Sequence, residues 1–360
     1  MSGRLAQLWR NRARPIAVSL LRLVATLLGL HALLFVLFSV MGDPARMLVG
    51  QRADQGTLEA IRHELGLDRT LGEQYLLQLH ELSPVGWLDS AGRAQQPQHF
   101  RVVSVGEHAL VLKLPYLRRS FQSSRPVGAL IAERIPATAL LALASLLIAA
   151  GIGIPLGVFA AQHRDGWADR LSSLASVVGV AAPSFFAAIV MATVFAVWLE
   201  PVTGLNVTGY IRQPSVLGEG YVYTWTNLIL PAVTLGLRPA ALLFQITRSG
   251  MIEALSSDYV RTAWAKGLPE RVVVWRHALP NAMGPVLTVL SGWLAALFTG
   301  AFFVEAIFDW PGLGKLIVDA LLTSDYPVIS GACLVTGAVF VGVLSLTDRL
   351  QGLVDPRVRA

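Results

Sequence analysis

Six long apolar runs constrain this chain more than any other feature. They cover Pro15 to Met41, Ile135 to Ala161, Leu171 to Leu199, Leu228 to Ile246, Ala282 to Phe308 and Tyr326 to Leu346. Roughly 20 apolar residues cross a hydrocarbon core of about 30 Å, so each run is long enough to span a bilayer as a helix. Composition agrees, with 54% of residues hydrophobic, 14% charged and a mean hydropathy of +0.57. The fold class expected is an all-α polytopic membrane protein, surrounded by lipid. A net charge of +6 would also suit a polyanion, but arginines on cytoplasmic loops produce the same excess. No nucleic-acid partner is expected. The single cysteine, Cys333, lies in an apolar run, so neither an internal disulfide nor a cysteine-based zinc site is available within the chain.

The basic start (Arg4, Arg10, Arg12, Arg14) followed by an apolar run has the outline of a signal peptide. The run exceeds the usual apolar region of about 7–15 residues, and Val40-Met41-Gly42-Asp43-Pro44 is a poor cleavage site. It reads as a retained span with the N-terminus inside. Alternation then places residues 1–15, 162–170, 248–280 and 348–360 in the cytoplasm. These hold fourteen Lys and Arg, whereas the short outer loops 200–227 and 309–325 hold only Arg212 and Lys315. Long translocated loops are exempt from the charge rule, so the contrast supports both termini inside.

Between the fourth and fifth runs lies Asp258 to Asn281, too polar to span. Asp258 suits an N-cap, and Tyr259, Val260, Ala263 and Trp264 then share one arc of a short helix. Gly267 suits the position that ends it and Pro269 the first position of a second helix. That helix carries Arg271 and Arg276 and is expected to stop at Pro280. The product is a helical elbow at the water surface.

This spacing resembles the "EAA…G…I-x-L-P" cytoplasmic loop of permease subunits of ATP-binding-cassette (ABC) importers. Arg261-Thr262-Ala263 take the E-A-A places, Gly267 the glycine and Leu279-Pro280 the closing L-P; Arg261, Thr262 and His277 depart from the usual Glu, Ala and Ile. The peptide and nickel branch, with "Y-V-R-T-A-x-A-K-G-L", matches nearly letter for letter. Further matches to that branch are His63-Glu64-Leu65-Gly66-Leu67-Asp68, Phe121 to Val127, Glu305 to Lys315, Asp325-Tyr326-Pro327-Val328 and the tail Asp355-Pro356-Arg357. The resemblance implies a type I permease core over residues 129–348 with its coupling loop at 248–280. Before it come an N-terminal segment and first span (1–41) and a periplasmic loop (42–128); a cytoplasmic tail (349–360) follows. It implies coupling to an ATPase through Tyr259, Val260, Arg261, Thr262, Ala263, Trp264, Lys266, Gly267, Leu279 and Pro280, with Tyr259 and Trp264 as contact anchors. The partners implied are a second homologous permease, two ATPase subunits that bind ATP and Mg, and a periplasmic substrate-binding protein. This chain itself would bind no cofactor. Di- or oligopeptides are the leading substrate class; relatives carry nickel chelates, glutathione or opine-like compounds.

The first outer loop shows helical periodicity over Thr57 to Leu82, broken at Gly66-Leu67-Asp68. Ser83 to Leu114 departs from the family's usual length. Phe100 to Val105 and His108 to Leu114 alternate apolar with polar residues around Gly106-Glu107, which predicts a β-hairpin. Its functional reading is a contact for the delivering protein, its plainer one a solvated decoration.

Polar residues inside spans are costly and mark candidate sites. Arg238, near the middle of the fourth run, reads either as a cavity charge meeting a peptide carboxylate or as one paired within the chain. Pro183-Ser184-Phe185 resembles the family's kink in the third span near the translocation path, and Glu305 lies at the outer end of the fifth run, lining a gate or reaching for water. His31, in the first run, reads as packed and hydrogen-bonded. Gly312-Leu313-Gly314-Lys315 imitates a phosphate loop but lacks its spacing and following Ser or Thr. His63-Glu64 and His80-Glu81 lack the second histidine of a zinc-protease motif, and no catalytic or metal constellation is expected. A membrane scaffold or sensor that binds ATPases without moving solute is the rival reading.

Overall fold

The computed structural model describes residues 2–41, 45, 55–64, 66–88, 99–105, 108–214, 221–299 and 301–354. Their helices, in order, are α1 (Ser2–Met41), α2 (Gln55–Glu64), α3 (Leu71–Leu82), α4 (Val127–Gln162), α5 (Trp167–Ala181), α6 (Ser184–Thr193), α7 (Glu200–Thr203), α8 (Thr226–Ser256), α9 (Asp258–Ala265), α10 (Glu270–Val272), α11 (Leu279–Phe298), α12 (Phe302–Ile307), α13 (Leu313–Leu322) and α14 (Tyr326–Val354). Five helices are long and apolar enough to cross a membrane, at Ala17–Val40, Val127–Gln162, Thr226–Ser256, Glu270–Phe298 and Tyr326–Arg349. The pair Trp167–Ala181 and Ser184–Trp198 makes a sixth if the two count as one span. The all-α membrane class expected from the apolar runs is what the chain adopts.

The chain divides into two compact units. One comprises residues 1–23, 134–318 and 336–360, the other residues 24–133 and 319–335. In the first, α8 is the most buried span and packs against α5, α6 and α11. Small residues let α4 approach it closely. A Cβ on Gly153 would lie 2.5 Å from the Ala240 carbonyl oxygen, and one on Gly157 would lie 2.7 Å from Thr247 Cβ. Close backbone approach of this kind supplies packing where lipid offers no hydrophobic drive.

Several boundaries differ from the sequence reading. The third run is broken rather than mildly kinked: α5 and α6 meet at 112° across Ala182-Pro183. Proline forces its predecessor into extended backbone and offers no N–H. Ala182 accordingly has ψ 128° and Pro183 ψ 137°, so a new helix starts at Ser184. The second arm of the elbow does not stop at Pro280. A π-helical stretch, Val273–Ala278, leads straight into α11. Its wider turn accommodates the proline ring, and Asn281 Nδ2 donates to the His277 carbonyl (2.8 Å). The fifth span ends at Phe298, and Glu305 belongs to the separate short helix α12. Ser257, not Asp258, is the N-cap of α9.

In the second unit, α2 and α3 flank the turn at Gly66, whose φ of +68° explains the break in periodicity. Thr70 and Glu73 form a capping box at the start of α3. The hairpin forms as the alternation predicts: β2 (His99–Val105) pairs antiparallel with β3 (His108–Lys113). Residues 106 and 107 lie outside the described residues. An unanticipated strand, β1 (Val85–Leu88), pairs with the other edge of β3, giving a sheet ordered β1-β3-β2. At the start of α14, Asp325 accepts from Ser120 Oγ (2.5 Å) and from the Phe121 N–H (3.0 Å), which fixes the segment leading into α4.

Candidate functional site

The elbow is held by its own apolar side. Val260 and Ala263 of α9 are buried with Val158 and Ala161 of α4, Met251 and Ala254 of α8, and Val273, Val274, Ala278 and Ala282 of the second arm and α11. One small core therefore joins α9 to three spanning helices. Gly267, at φ +76°, reverses the chain after α9 in a conformation that side chains with a Cβ resist. Gln162 Nε2 donates to Glu270 Oε1 (3.3 Å), tying the end of α4 to the second arm.

About two turns into α8 from the elbow, Arg248 makes a two-pronged pair with Asp169 of α5. Its Nε lies 2.5 Å from Oδ1 and its Nη2 2.7 Å from Oδ2. Asp169 is 3% exposed at its side chain and Arg248 27%. Bidentate geometry fixes direction as well as distance, so α5 and α8 are locked where α8 feeds the elbow. The sequence reading passed over this pair, because nothing local relates two charges that far apart in the chain.

The other side of the elbow faces outward. Val260 and Ala263 turn in, while Tyr259 and Trp264, at the two edges of that arc, stay 44% and 43% exposed. Arg261, Thr262, Lys266 and Gly267 are exposed, as is Pro280; Leu279 is half-buried. Trp275 in the second arm is 53% exposed and joins the same aromatic set. It was missed because it is not one of the motif's fixed positions, although a tryptophan followed by Arg276 and His277 was a usable signal. Arg271 and Arg276 are exposed beside it. Four cations therefore stand on the elbow against Asp258 and Glu270.

The residues expected along a translocation path are not gathered into one site. Arg238 is exposed on α8 and makes no hydrogen bond or ion pair among the described residues. Pro183, Ser184 and Phe185 are exposed at the start of α6, and the Phe185 ring meets Phe303 of α12 edge-on at 6.0 Å. Glu305, two residues on, turns the opposite way. It is fully buried and accepts from Thr138 Oγ1 (3.0 Å) and from the Lys315 N–H (3.0 Å). A Cβ on Gly312 would lie 2.4 Å from its carboxylate. The turn that imitates a phosphate loop thus cradles the chain's own carboxylate at the start of α13.

Comparison with known proteins follows this geometry closely. Residues 153–360 match the family described as binding-protein-dependent transport system inner membrane component, and residues 14–142 match the N-terminal part of such membrane components. A Brucella ovis protein provisionally named a peptide permease is 36% identical over 346 residues, covering 92% of this chain and 95% of its own. The glutathione transport system permease proteins of Pectobacterium atrosepticum and Escherichia coli K12 are each 34% identical, covering 94% of this chain and 97% of theirs. Among solved structures, a chain of the methionine ABC transporter MetNI in an inward-facing conformation superposes with a TM-score of 0.52 at 16% identity. The superposition covers 63% of this chain and 97% of that one. That likeness concerns the fold.

Proposed function

The chain belongs to the family of binding-protein-dependent transport system inner membrane components, and on that premise we propose that it is half of an ATP-driven import pathway for small peptides. In this reading a periplasmic binding protein delivers the substrate, a second homologous permease completes the cavity, and two separate ATPase subunits hydrolyse ATP. Both termini lie in the cytoplasm, as the distribution of Lys and Arg supports. The elbow then faces the ATPases. The observation that carries the proposal is its two-sidedness. Val260 and Ala263 root α9 in three spans, while Tyr259, Trp264 and Trp275 stay exposed among four cations.

Exposed aromatics dominate contact energies once buried by a partner, and the cations steer an acidic surface to them. A push on this face reaches α4, α8 and α11 through one shared core. A nucleotide-driven partner shifts the gate only if its docking differs between the two gate states, and a rooted lever supplies that difference. Relatives named for peptides and for glutathione share one substrate chemistry, a short chain ending in carboxylates. Arg238, exposed within a span and without a partner among the described residues, is the residue assigned to meet such a carboxylate. The three-stranded sheet at 85–113 is assigned to the docking of the binding protein.

The test is reconstitution of the chain with its partner subunits in sealed vesicles. Labelled di- or tripeptide accumulates when ATP and the binding protein are present. ATP hydrolysis without accumulation would favour a scaffold or sensor instead.

A further inference from the structure

The second unit contains a chamber that nothing in the transport mechanism uses. It has a volume of about 260 Å³ and opens among the last turns of α1, the first turns of α14 and the helix α3. Phe35 and Phe38 of α1 and Tyr326 and Leu334 of α14 line it with apolar surface. Phe38 packs on Tyr326 at 4.7 Å, and Phe35 meets Tyr75 edge-on at 5.2 Å. Into this apolar lining projects His31, 3% exposed and stacked on Tyr75 at 5.2 Å. Neither of its ring nitrogens has a hydrogen-bond partner among the described residues.

Burying an imidazole with both nitrogens unsatisfied carries the desolvation penalty of each, and such groups in native proteins call for an explanation. The ring itself stacks on Tyr75, while Ser39, Gln74, Gln78 and Glu81 also line the chamber. A second polar group stands at the same chamber. Arg118 pairs with Glu81 through Nε alone (2.7 Å), and its two terminal nitrogens make no hydrogen bond among the described residues. An apolar chamber with a few convergent polar groups is the common form of a small-ligand site.

We propose that this chamber binds one single-chain amphiphile with an anionic head. The head, a carboxylate or phosphate ester oxygen, lies between the imidazole of His31 and the terminal nitrogens of Arg118. The alkyl tail lies among Phe35, Phe38 and Tyr326. Arg presents paired donors matched to such oxygens, and the flanking spans give an alkyl chain direct access from the bilayer. The site is separate from the elbow, so its occupancy can be measured without reference to transport.

The experiment uses the full chain with its partner subunits in nanodiscs of zwitterionic lipid, and radiolabelled dodecanoate as the probe. Saturable binding of one dodecanoate per chain is expected, at least tenfold weakened in His31→Leu and in Arg118→Gln. His31→Gln, which keeps hydrogen-bonding atoms, should bind within about threefold of the parent. Ser330→Leu, which fills the chamber from α14, should abolish binding while the complex still assembles. Dodecanol, with the same tail and no charge, should bind at least tenfold more weakly. Lipid extraction from the purified complex distinguishes the sources of this chemistry. Lysophosphatidylglycerol that co-purifies and is displaced by dodecanoate identifies a lipid of the bilayer, and binding without such a lipid identifies a free acid. Equal dodecanoate binding by the parent, His31→Leu and Ser330→Leu, or no saturable binding at all, would overturn the proposal.

Discussion

The elbow at 258–281 and the turn at 305–315 lie in one unit and treat charge in opposite ways. The elbow buries five small apolar side chains, Val260, Ala263, Val273, Val274 and Ala278, and leaves every cation outside. The turn buries a carboxylate and wraps backbone donors around it, with Trp310 fully buried beside it and donating Nε1 to the Ala137 carbonyl (2.9 Å). A surface built for a partner keeps its charges wet and its aromatics half-exposed. A surface built to hold the chain together satisfies each polar atom internally, because an unmet one costs about 1–3 kcal/mol. The difference teaches that the same residue types read as contact or as cement according to where their polar atoms go.

The largest effect should come from the turn. Gly312→Ala drives a Cβ into the Glu305 carboxylate, and Glu305→Ala strands the Thr138 hydroxyl and the Lys315 N–H. Each is expected to destabilise the unit by about 2–5 kcal/mol, measured as lost thermal stability of the purified chain. A stable Gly312→Ala protein would break the contrast from the structural side. Next come the aromatic residues of the elbow. Trp264→Ala and Trp275→Ala should leave folding intact, because both rings are already half-exposed, yet lower ATP-driven uptake at least tenfold, as loss of an interface anchor worth about 2 kcal/mol implies. Uptake assays beside ATPase assays check this, and normal uptake would remove the residue from the coupling role.

Asp169→Asn, which breaks the two-pronged pair, should cost a smaller amount. About 1–3 kcal/mol is expected, since Arg248 keeps partial access to water. The exchange Asp169→Arg with Arg248→Asp should recover part of that loss in a denaturation series, and no recovery would mean that the pair does more than bridge two helices. The smallest effect belongs to the rim. Arg261→Gln and Lys266→Gln should slow ATPase docking only at low salt, because exposed charges are screened within about 8–10 Å. A salt-independent effect would place these side chains in the interface core. Deleting 83–114 should weaken docking of the binding protein while hydrolysis coupling survives, which a co-sedimentation assay reads.

Much of this was legible in the chain. Long apolar runs fix span count because lipid leaves the backbone few alternatives, and Gly267 marked the end of α9 because few residues adopt its φ. What escaped was set by tertiary context. Pro183 was read as a kink, though its effect on Ala182 makes a 112° corner. Pro280 was read as a stop, though a preceding π turn absorbs it. The burial of Glu305 was not legible, because sequence shows a carboxylate but not the Gly312 turn folded over it. The Asp169–Arg248 pair joins positions no periodicity connects. The arc of α9 was placed correctly, but burial splits it, with Val260 and Ala263 inside and the two rings at its edges.

The most direct test of the coupling claim labels one position on the elbow. With Cys333→Ser as background, Trp264→Cys is treated with a membrane-impermeant maleimide in right-side-out and in inverted vesicles. The account predicts labelling in inverted vesicles alone, and protection when the ATPase subunits are added. Labelling from the periplasmic side, or labelling unaffected by the ATPases, would contradict it.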